Sequence, residues 1–257
     1  MCKPKRGEVI IISAAVVTYR DGAKAQKAAE SILKNTKRYP LKLYIIDNAS
    51  PDGTADLFEN TEGVTLVREK QNLGFGAAHN EVLKSEIGKY HFVINPDITF
   101  DTDVLSDIVD YMEKNPDVAM LMPRILNPDG SEQFLPKEIP TFRRLFLGRL
   151  SDKIRKNYTW ADRKIKTVTD VDFCTGCFFC IRGEVFKAVN GFSPQYFMYL
   201  EDADLTLKAK KYGRTVMHPD ICVTHAWERG SSKNLKLLII HTKSALKFLA
   251  GKRKLLK

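Results

Sequence analysis

Residues 90–97 read YHFVINPD, an aromatic and β-branched run that ends directly on Asn95-Pro96-Asp97. With no polar alternation, Tyr90–Ile94 suits a strand covered on both faces, as inside a parallel sheet. The flanking sequence repeats the theme. Val9–Thr18, Leu41–Ile46 and Val64–Val67 are strand-like upstream, and Val118–Met122 downstream. Helical stretches separate them: Ala23–Lys34, with Ala28, Ile32 and Leu33 available to face a sheet, then Asp52–Asn60 after the turn Ser50-Pro51-Asp52-Gly53, then Gly74–Ser85 and Asp103–Lys114. This alternation implies right-handed crossovers and an α/β domain with a mostly parallel central sheet. Ligands of such sheets gather beyond the C-terminal strand ends. Asp47 and Asp97 both stand there, the first reason to assign them to one site.

The second half is less regular. Asn127-Pro128-Asp129-Gly130 is a turn, and Glu138–Lys166 is a basic, aromatic-dotted stretch expected to be helical and mobile. Val171–Arg182 is a strand-like run broken by Gly176. Asp202–Tyr212 reads as a helix closed by Gly213 as its C-cap, Arg214–Val223 as a strand and Asn234–Leu249 as a terminal helix. No repeat or low-complexity linker divides the chain. One continuous domain over residues 1–232 is expected, followed by a basic amphipathic tail over 233–257.

A chain of 257 residues, 44% apolar and 28% charged, is an ordinary globular protein with a substantial core. Its net charge of +10 is regional: residues 233–257 hold eight basic residues and no acidic one, which leaves about +2 for the rest. Residues 137–166 carry ten Lys or Arg against Glu138, Asp152 and Asp162. Such clustering points to an anionic surface or substrate. In the terminal helix Leu235, Leu238, Ile239, Leu246 and Leu249 fall on one side and Lys236, Lys243 and Lys247 on another. That pattern suits an anionic membrane surface, or equally a helix packed on the core. No nucleic-acid fold motif or aromatic platform accompanies the basic residues, so nucleic acid is not an expected partner. Five cysteines (Cys2, Cys174, Cys177, Cys180, Cys222) are an odd number in a chain too large to need staples, which indicates reduced thiols and a cytoplasmic location. The first residues, MCKPKRGEVIIISAAVVT, imitate a secretory signal, but Tyr19-Arg20-Asp21-Gly22 follows without a cleavage site. No run approaches about 18 apolar residues, so no transmembrane helix is expected.

Several clusters carry chemistry. Asp47-Asn48-Ala49-Ser50 follows the second strand; Asp47 either accepts from a base N–H or closes an Asx-type turn. In Gln71–Asn80 the spacing of Gly74 and Gly76 imitates a dinucleotide fingerprint, but His79 takes the third glycine position. What remains is a glycine-rich helix entry with amides suited to a diphosphate. Asp97 can hold a hard cation that keeps water or diphosphate oxygens as its other ligands, as Mg²⁺ or Mn²⁺ does. Glu201-Asp202-Ala203-Asp204 puts three acids at a helix N-terminus, more than capping needs, and neighbouring carboxylates raise one another's pKa as a general base requires. His225 is either structural or a neutral imidazole on the same metal. Cys174, Cys177 and Cys180 lack zinc spacing and read as buried thiols. No G-x-S-x-G elbow supports a hydrolase.

In this order the motifs VVTYR, YIIDNASPDGT, NLGFGAAHN, INPDI, GFSPQYFMYLEDADLTLKAKKYG and THAWERGSS resemble family-2 glycosyltransferases of the GT-A fold, over roughly residues 9–232. The nearer resemblance is to the rhamnosyltransferase-like branch that builds bacterial surface polysaccharides. By that resemblance Thr18, Asp47, Asn72, Gly74 and Asp97 would bind a nucleoside-diphosphate sugar such as dTDP-rhamnose or a UDP-hexose. Asp97 and His225 would hold Mg²⁺ or Mn²⁺, and Asp202 would deprotonate the acceptor hydroxyl for an inverting transfer. Glu201 and Trp227 would stand on the acceptor side. The implied acceptor is a glycan or a polyprenyl-diphosphate-linked glycan, met in the cytoplasm or at the inner face of the plasma membrane. Arg20 stands where the family usually has Asn, Glu81 where Gly is frequent and Lys208 where Arg is usual. A sugar-nucleotide-binding scaffold and a nucleotidyltransferase are the alternative readings.

Overall fold

Seven consecutive buried residues, Ile12–Thr18, form the first strand, β1. The computed structural model of the chain describes residues 11–149, 151–227 and 235–255. Cys2, Val9, Ile10, the Gly230-Ser231-Ser232 run, Lys233 and Asn234 lie outside the described residues. After β1 come α1 (Gly22–Asn35), β2 (Leu41–Asp47), β3 (Val64–Arg68), α2 (Phe75–His79), β4 (Tyr90–Ile94), β5 (Ile98–Thr99), α3 (Val104–Lys114) and β6 (Val118–Leu126). The second half adds α4 (Phe142–Phe146), α5 (Asp152–Thr159), β7 (Thr169–Asp170), β8 (Phe178–Arg182), α6 (Gly183–Ala188), α7 (Glu201–Ala209), β9 (Arg214–His225) and α8 (Leu235–Leu255).

The sheet order is β3-β2-β1-β4-β8-β6-β9-β5, with β7 also on β9. Strands β1, β2, β3 and β4 are mutually parallel, and β6 runs parallel to β9. β8 is antiparallel to both its neighbours, β4 and β6. Its N-terminal end therefore lies at the edge where the parallel strands end: Phe178 pairs with Ile94. Alternate β1 residues feed two different clusters. Ala14 and Val16 pack with α1 and α3, and Ala15 and Val17 with Phe179, Phe192 and Leu205. Both faces are covered, which explains the uninterrupted apolar run. A third cluster joins α7 to α8 through Leu200, Ala203, Leu207, Ala245 and Phe248. Among the described residues no helix is long and apolar enough to cross a membrane.

Four expectations need correction. The helix expected over Gly74–Ser85 is only α2, followed by a 3-10 turn over Asn80–Lys84. Asn80 is drawn out of α-helical register by tertiary bonds: its Oδ1 accepts from Phe192 N–H and its Nδ2 donates to the Phe192 carbonyl, both at 2.8 Å. The single helical stretch expected over Glu138–Lys166 is two short helices with a 3-10 turn between them. Gly213 does not cap α7, whose C-cap is Lys210 in a right-handed conformation. Instead Gly213 lets two segments touch, since a Cβ there would lie 2.4 Å from the Asp117 carbonyl oxygen. The short helix expected over Asp52–Asn60 is a 3-10 turn, Thr54–Phe58. On α8, Ser244, Ala245 and Phe248 face inward, while Leu235, Ile239 and Leu246 share the exposed face with Lys236, Lys243 and Lys247.

Candidate active site

Where β1 and β2 end, Thr18 and Asp47 are paired in register. Asp47 Oδ2 accepts from the Ser50 N–H at 3.1 Å, so the Asx-type turn is present. Its Oδ1 and the Thr18 hydroxyl are buried without a hydrogen bond to the protein. A buried polar atom normally has a partner, and two adjacent ones at a strand edge make a ready receptor for N–H or O–H donors. Asn72 lies beside them, but its side chain is engaged. It accepts from the Gly74 N–H (3.0 Å) and from Asn48 Nδ2 (3.1 Å). Asn48 completes the brace by accepting from the Leu73 N–H at 2.8 Å. Gly74 has φ +84°, and a Cβ on it would stand 2.1 Å from the Phe197 carbonyl oxygen. That close approach lets the Phe75 N–H donate to the same oxygen at 2.9 Å, tying α2 to the segment ahead of α7.

At the end of β4 the Asp97 Oδ1 lies 3.2 Å from His225 Nε2, and Ala226 N–H donates to the Asp97 carbonyl at 2.9 Å. Gln133, buried in the loop after β6, sets the chemistry of this pair. Its Nε2 donates to the His225 carbonyl at 2.7 Å, which turns its Oε1 toward His225 Nδ1 at 2.9 Å. An amide oxygen only accepts, so Nδ1 carries a ring proton, and whenever the ring holds one proton its lone pair is at Nε2, facing Asp97 Oδ1. Neither Nε2 nor Asp97 Oδ1 has a hydrogen bond. Two facing lone-pair atoms held at this distance fit a cation between them. Among the described residues no cluster of three or more His, Cys, Asp or Glu could hold a metal, so a cation at this pair would draw its remaining ligands from a bound oxyanion or water.

The three acids of α7 have three different environments. Asp204 is buried and lies 2.7 Å from the Lys208 ammonium, one helical turn on, so Lys208 keeps an ion pair here. Glu201 is 5% exposed and packs beneath α2, where a Cβ on Gly76 would lie 3.4 Å from its Cγ. Burial, and then the Asp202 charge, push its carboxyl well above the usual range. Asp202 is the half-buried member. Burial raises its pKa to about 6, against amide bonds from Gly176 (2.8 Å) and Ala203 (2.9 Å) that favour the anion. The approach to Gly176 is close: a Cβ there would be 3.3 Å from Asp202 Oδ2, so the carboxylate would have to shift by a few tenths of an ångström. Tyr199 and Leu200, just before α7, both adopt left-handed backbone, a conformation costly for non-glycine residues and common where a site is held in place.

One short segment joins the two carboxylates. Gly176 N–H bonds Asp202, and the next carbonyl, Cys177, accepts from Asn95 N–H at 2.8 Å, two residues before Asp97. Burial lifts the Cys177 thiol to about 12, and the negative charges of Asp97 and Asp202 both add to the effect. Thr18, Asp47, Asn72, Gly74, Asp97, His225 and Asp202 thus share one sheet edge. Exposed Trp227 lies beside them, its ring stacked on His225 at 6.3 Å and 10°. Glu201 is directed into the protein. The thiols of Cys174, Cys177 and Cys180 are buried and unbridged, as expected. Gln133, Asn48 and Gly176 were not singled out from sequence; only the break at Gly176 left a local signal. Lys137 was missed too: its buried ammonium donates to the Leu135 carbonyl (3.2 Å), within electrostatic reach of Glu132 and Cys177, and burial lowers its pKa.

Comparison with known proteins agrees with this geometry. The family model for Glycosyl transferase family 2 matches residues 13–189. The N-acetylglucosaminyl-diphospho-decaprenol L-rhamnosyltransferase of Mycobacterium tuberculosis is 26% identical over 262 residues, covering 94% of this chain and 85% of the relative. The rhamnosyltransferase WbbL of Escherichia coli is 30% identical over 173 residues, 64% of this chain and 62% of the relative. Among solved structures, GalNAc-T7 with UDP, GalNAc and Mn²⁺ superposes with a TM-score of 0.67 at 15% identity, over 96% of this chain and about half (52%) of that one. The Pyrobaculum calidifontis mannosyltransferase PcManGT with GDP-Man and Mn²⁺ gives 0.62 at 15% identity, over 97% and 77%. The fold is of the GT-A type.

Proposed function

For a chain that belongs to Glycosyl transferase family 2 and is a glycosyltransferase of the rhamnosyltransferase-like kind, we propose the inverting transfer of a single sugar from a nucleoside diphosphate to a lipid-linked glycan of the cell surface. The observation that carries this reading is geometric: the half-buried Asp202 carboxylate, with buried Glu201 before it in α7, lies on one side of the Gly176–Cys177 segment and the Asp97–His225 pair on the other. Asp202 takes the proton of the acceptor hydroxyl as its oxygen attacks the anomeric carbon. The bond from that carbon to the diphosphate oxygen breaks on the opposite face, so the configuration inverts. Burial of Glu201 disfavours a second negative charge near the attacking oxygen. Thr18 and Asp47 would receive the base, and the amides around Gly74 the diphosphate. Asp97 and His225 would hold Mg²⁺ or Mn²⁺, which when bound offsets the charge gathering on the leaving diphosphate.

Incubation with dTDP-rhamnose, UDP-galactose, UDP-glucose and GDP-mannose in Mn²⁺ should release a nucleoside diphosphate from one of them. Release of sugar 1-phosphate instead, the product of nucleotidyl transfer from these donors, would end this reading. The role of Gln133 has its own test. In Gln133→Met the ring proton is free to move to Nε2, and Mn²⁺ affinity, read by electron paramagnetic resonance of free Mn²⁺, should fall about 10–100-fold as for other partners of ligating histidines. Side-chain ¹⁵N shifts of His225 should report the Nδ1–H tautomer in the native protein. An Nε2–H or doubly protonated ring there would show that Gln133 does not set the proton.

A further inference from the structure

A cavity of about 1050 Å³ opens beside this site, between the loop after β6, the α4–α5 pair and the start of α8. It is at the upper end of the range for small-molecule sites. Its inner wall reaches the reacting groups from two directions. Gln133 and Trp227 connect it to His225, and Tyr158, packed against α7, lies within electrostatic reach of both Asp202 and Arg144. Phe134 and Trp227 expose large aromatic faces to it. Arg155 and Lys156, at its rim, are paired only with Asp152 (2.9 Å) and Asp162 (3.4 Å) in solvent-exposed contacts. Exposed pairs of this kind are weak and give way readily to a better anion. Arg144 also lines the cavity, less exposed than these two, and is paired with Glu138.

The outer rim is built differently. Leu238 of α8 lines the cavity, and the exposed face of the same helix carries Leu235, Ile239, Lys243 and Leu246 at helical spacing, with Leu235 73% exposed. At its far end α8 lies against α4, where Lys252 donates to the Pro140 carbonyl at 3.2 Å and α4 exposes Phe142. Apolar side chains interleaved with lysine on a helix face match the boundary of an anionic bilayer, with the hydrocarbon below and the headgroups beside the ammonium groups.

Resting on the transfer reading above, we propose that this cavity is the acceptor site. It takes a saccharide joined to a lipid through a diphosphate: the sugar lies against Trp227 and Phe134, the diphosphate against Arg155 and Lys156, and the lipid remains in a bilayer met by α8. This assigns recognition of the acceptor's charge to the α4–α5 region and recognition of its lipid to α8. Of the basic stretch over residues 137–166, Arg144, Arg155 and Lys156 line this opening.

Two variants test it in the full-length protein. For Arg155→Ala/Lys156→Ala, KM for a diphosphate-linked lipid saccharide should rise at least about tenfold, the scale of a lost charge-assisted contact. KM for a neutral alkyl glycoside of the same sugar should stay within about twofold. Equal changes for both acceptors, or none for either, would overturn the diphosphate assignment. For Leu235→Glu/Ile239→Glu, transfer to the acceptor should fall when it is presented in phosphatidylglycerol vesicles and hold when it is dissolved in detergent micelles. Unaltered vesicle activity would overturn the bilayer assignment. If no sugar nucleotide supports transfer by the native protein, the transfer reading itself fails; native transfer with unmoved KM values in the variants removes only the acceptor site.

Discussion

Asp202→Asn should lower kcat by about 10²–10⁴, the usual contribution of a positioned general base, while binding of nucleoside diphosphate by calorimetry stays near native. The amide is isosteric with the carboxylate and its oxygen can still accept from the Gly176 N–H, which bonds Asp202 at 2.8 Å; only the bond from the adjacent Ala203 N–H (2.9 Å) is given up. The loss would therefore report the missing proton acceptor rather than a collapsed loop. The pH profile gives an independent reading. Only the anion is a base, and burial raises the Asp202 pKa to about 6. In the native protein kcat/KM should accordingly be level above that pH and fall tenfold per unit below it. The variant should lack this limb.

The linkage sign for stability runs the other way from an ion-paired carboxylate. The folded state holds the Asp202 proton more tightly than the unfolded chain, so ionising this group costs folding free energy as pH rises through about 6. At neutral pH Asp202→Asn should leave Tm unchanged or raise it. Turnover within about tenfold of native, or a native acid limb in the variant, would remove Asp202 from the chemistry.

Gly74→Ala is expected to be strongly destabilising for a single added methyl group. The backbone here, φ 84° and ψ 178°, is in a region open essentially to glycine alone. The added Cβ would also stand 2.1 Å from a backbone oxygen, that of Phe197. Backbone cannot swing aside as a side-chain end can, so α2 must separate from the segment leading to Tyr199 and Leu200. We expect a loss of more than about 3 kcal/mol in urea unfolding, together with loss of donor binding. Gly130→Ala is the control. Its φ is similar, +82°, but nothing lies within 4 Å of the new atom, so only the conformational cost of about 1 kcal/mol should appear. Similar unfolding midpoints for the two variants would show that the contact with Phe197 is unimportant.

Much of the first half was legible because its cues are local. Tyr90–Ile94 and α3, capped by Asp103 accepting from the Ser106 N–H at 3.3 Å, fall close to where pattern and caps place them. The strand-end rule put Asp47 and Asp97 on one edge without knowledge of any contact. The second half resisted because its order depends on partners remote in the chain. Gln133 bonds a residue 92 positions away, and Asn80 one 112 positions away. Nothing in the sequence around Gln133 marks it as the group that decides a histidine tautomer.

The sequence by itself determined the alternating strands and helices, the edge at which the carboxylates collect and the family. Each follows from periodicity and residue order, which short stretches carry in full. The tertiary structure alone decided that burial raises the Glu201 and Asp202 carboxyls while Asp204 is held in an ion pair with Lys208. An acid's behaviour is set by how much water it loses and by what stands within a few ångströms, and only the packing of α7 against α2 and against Gly176 fixes those quantities.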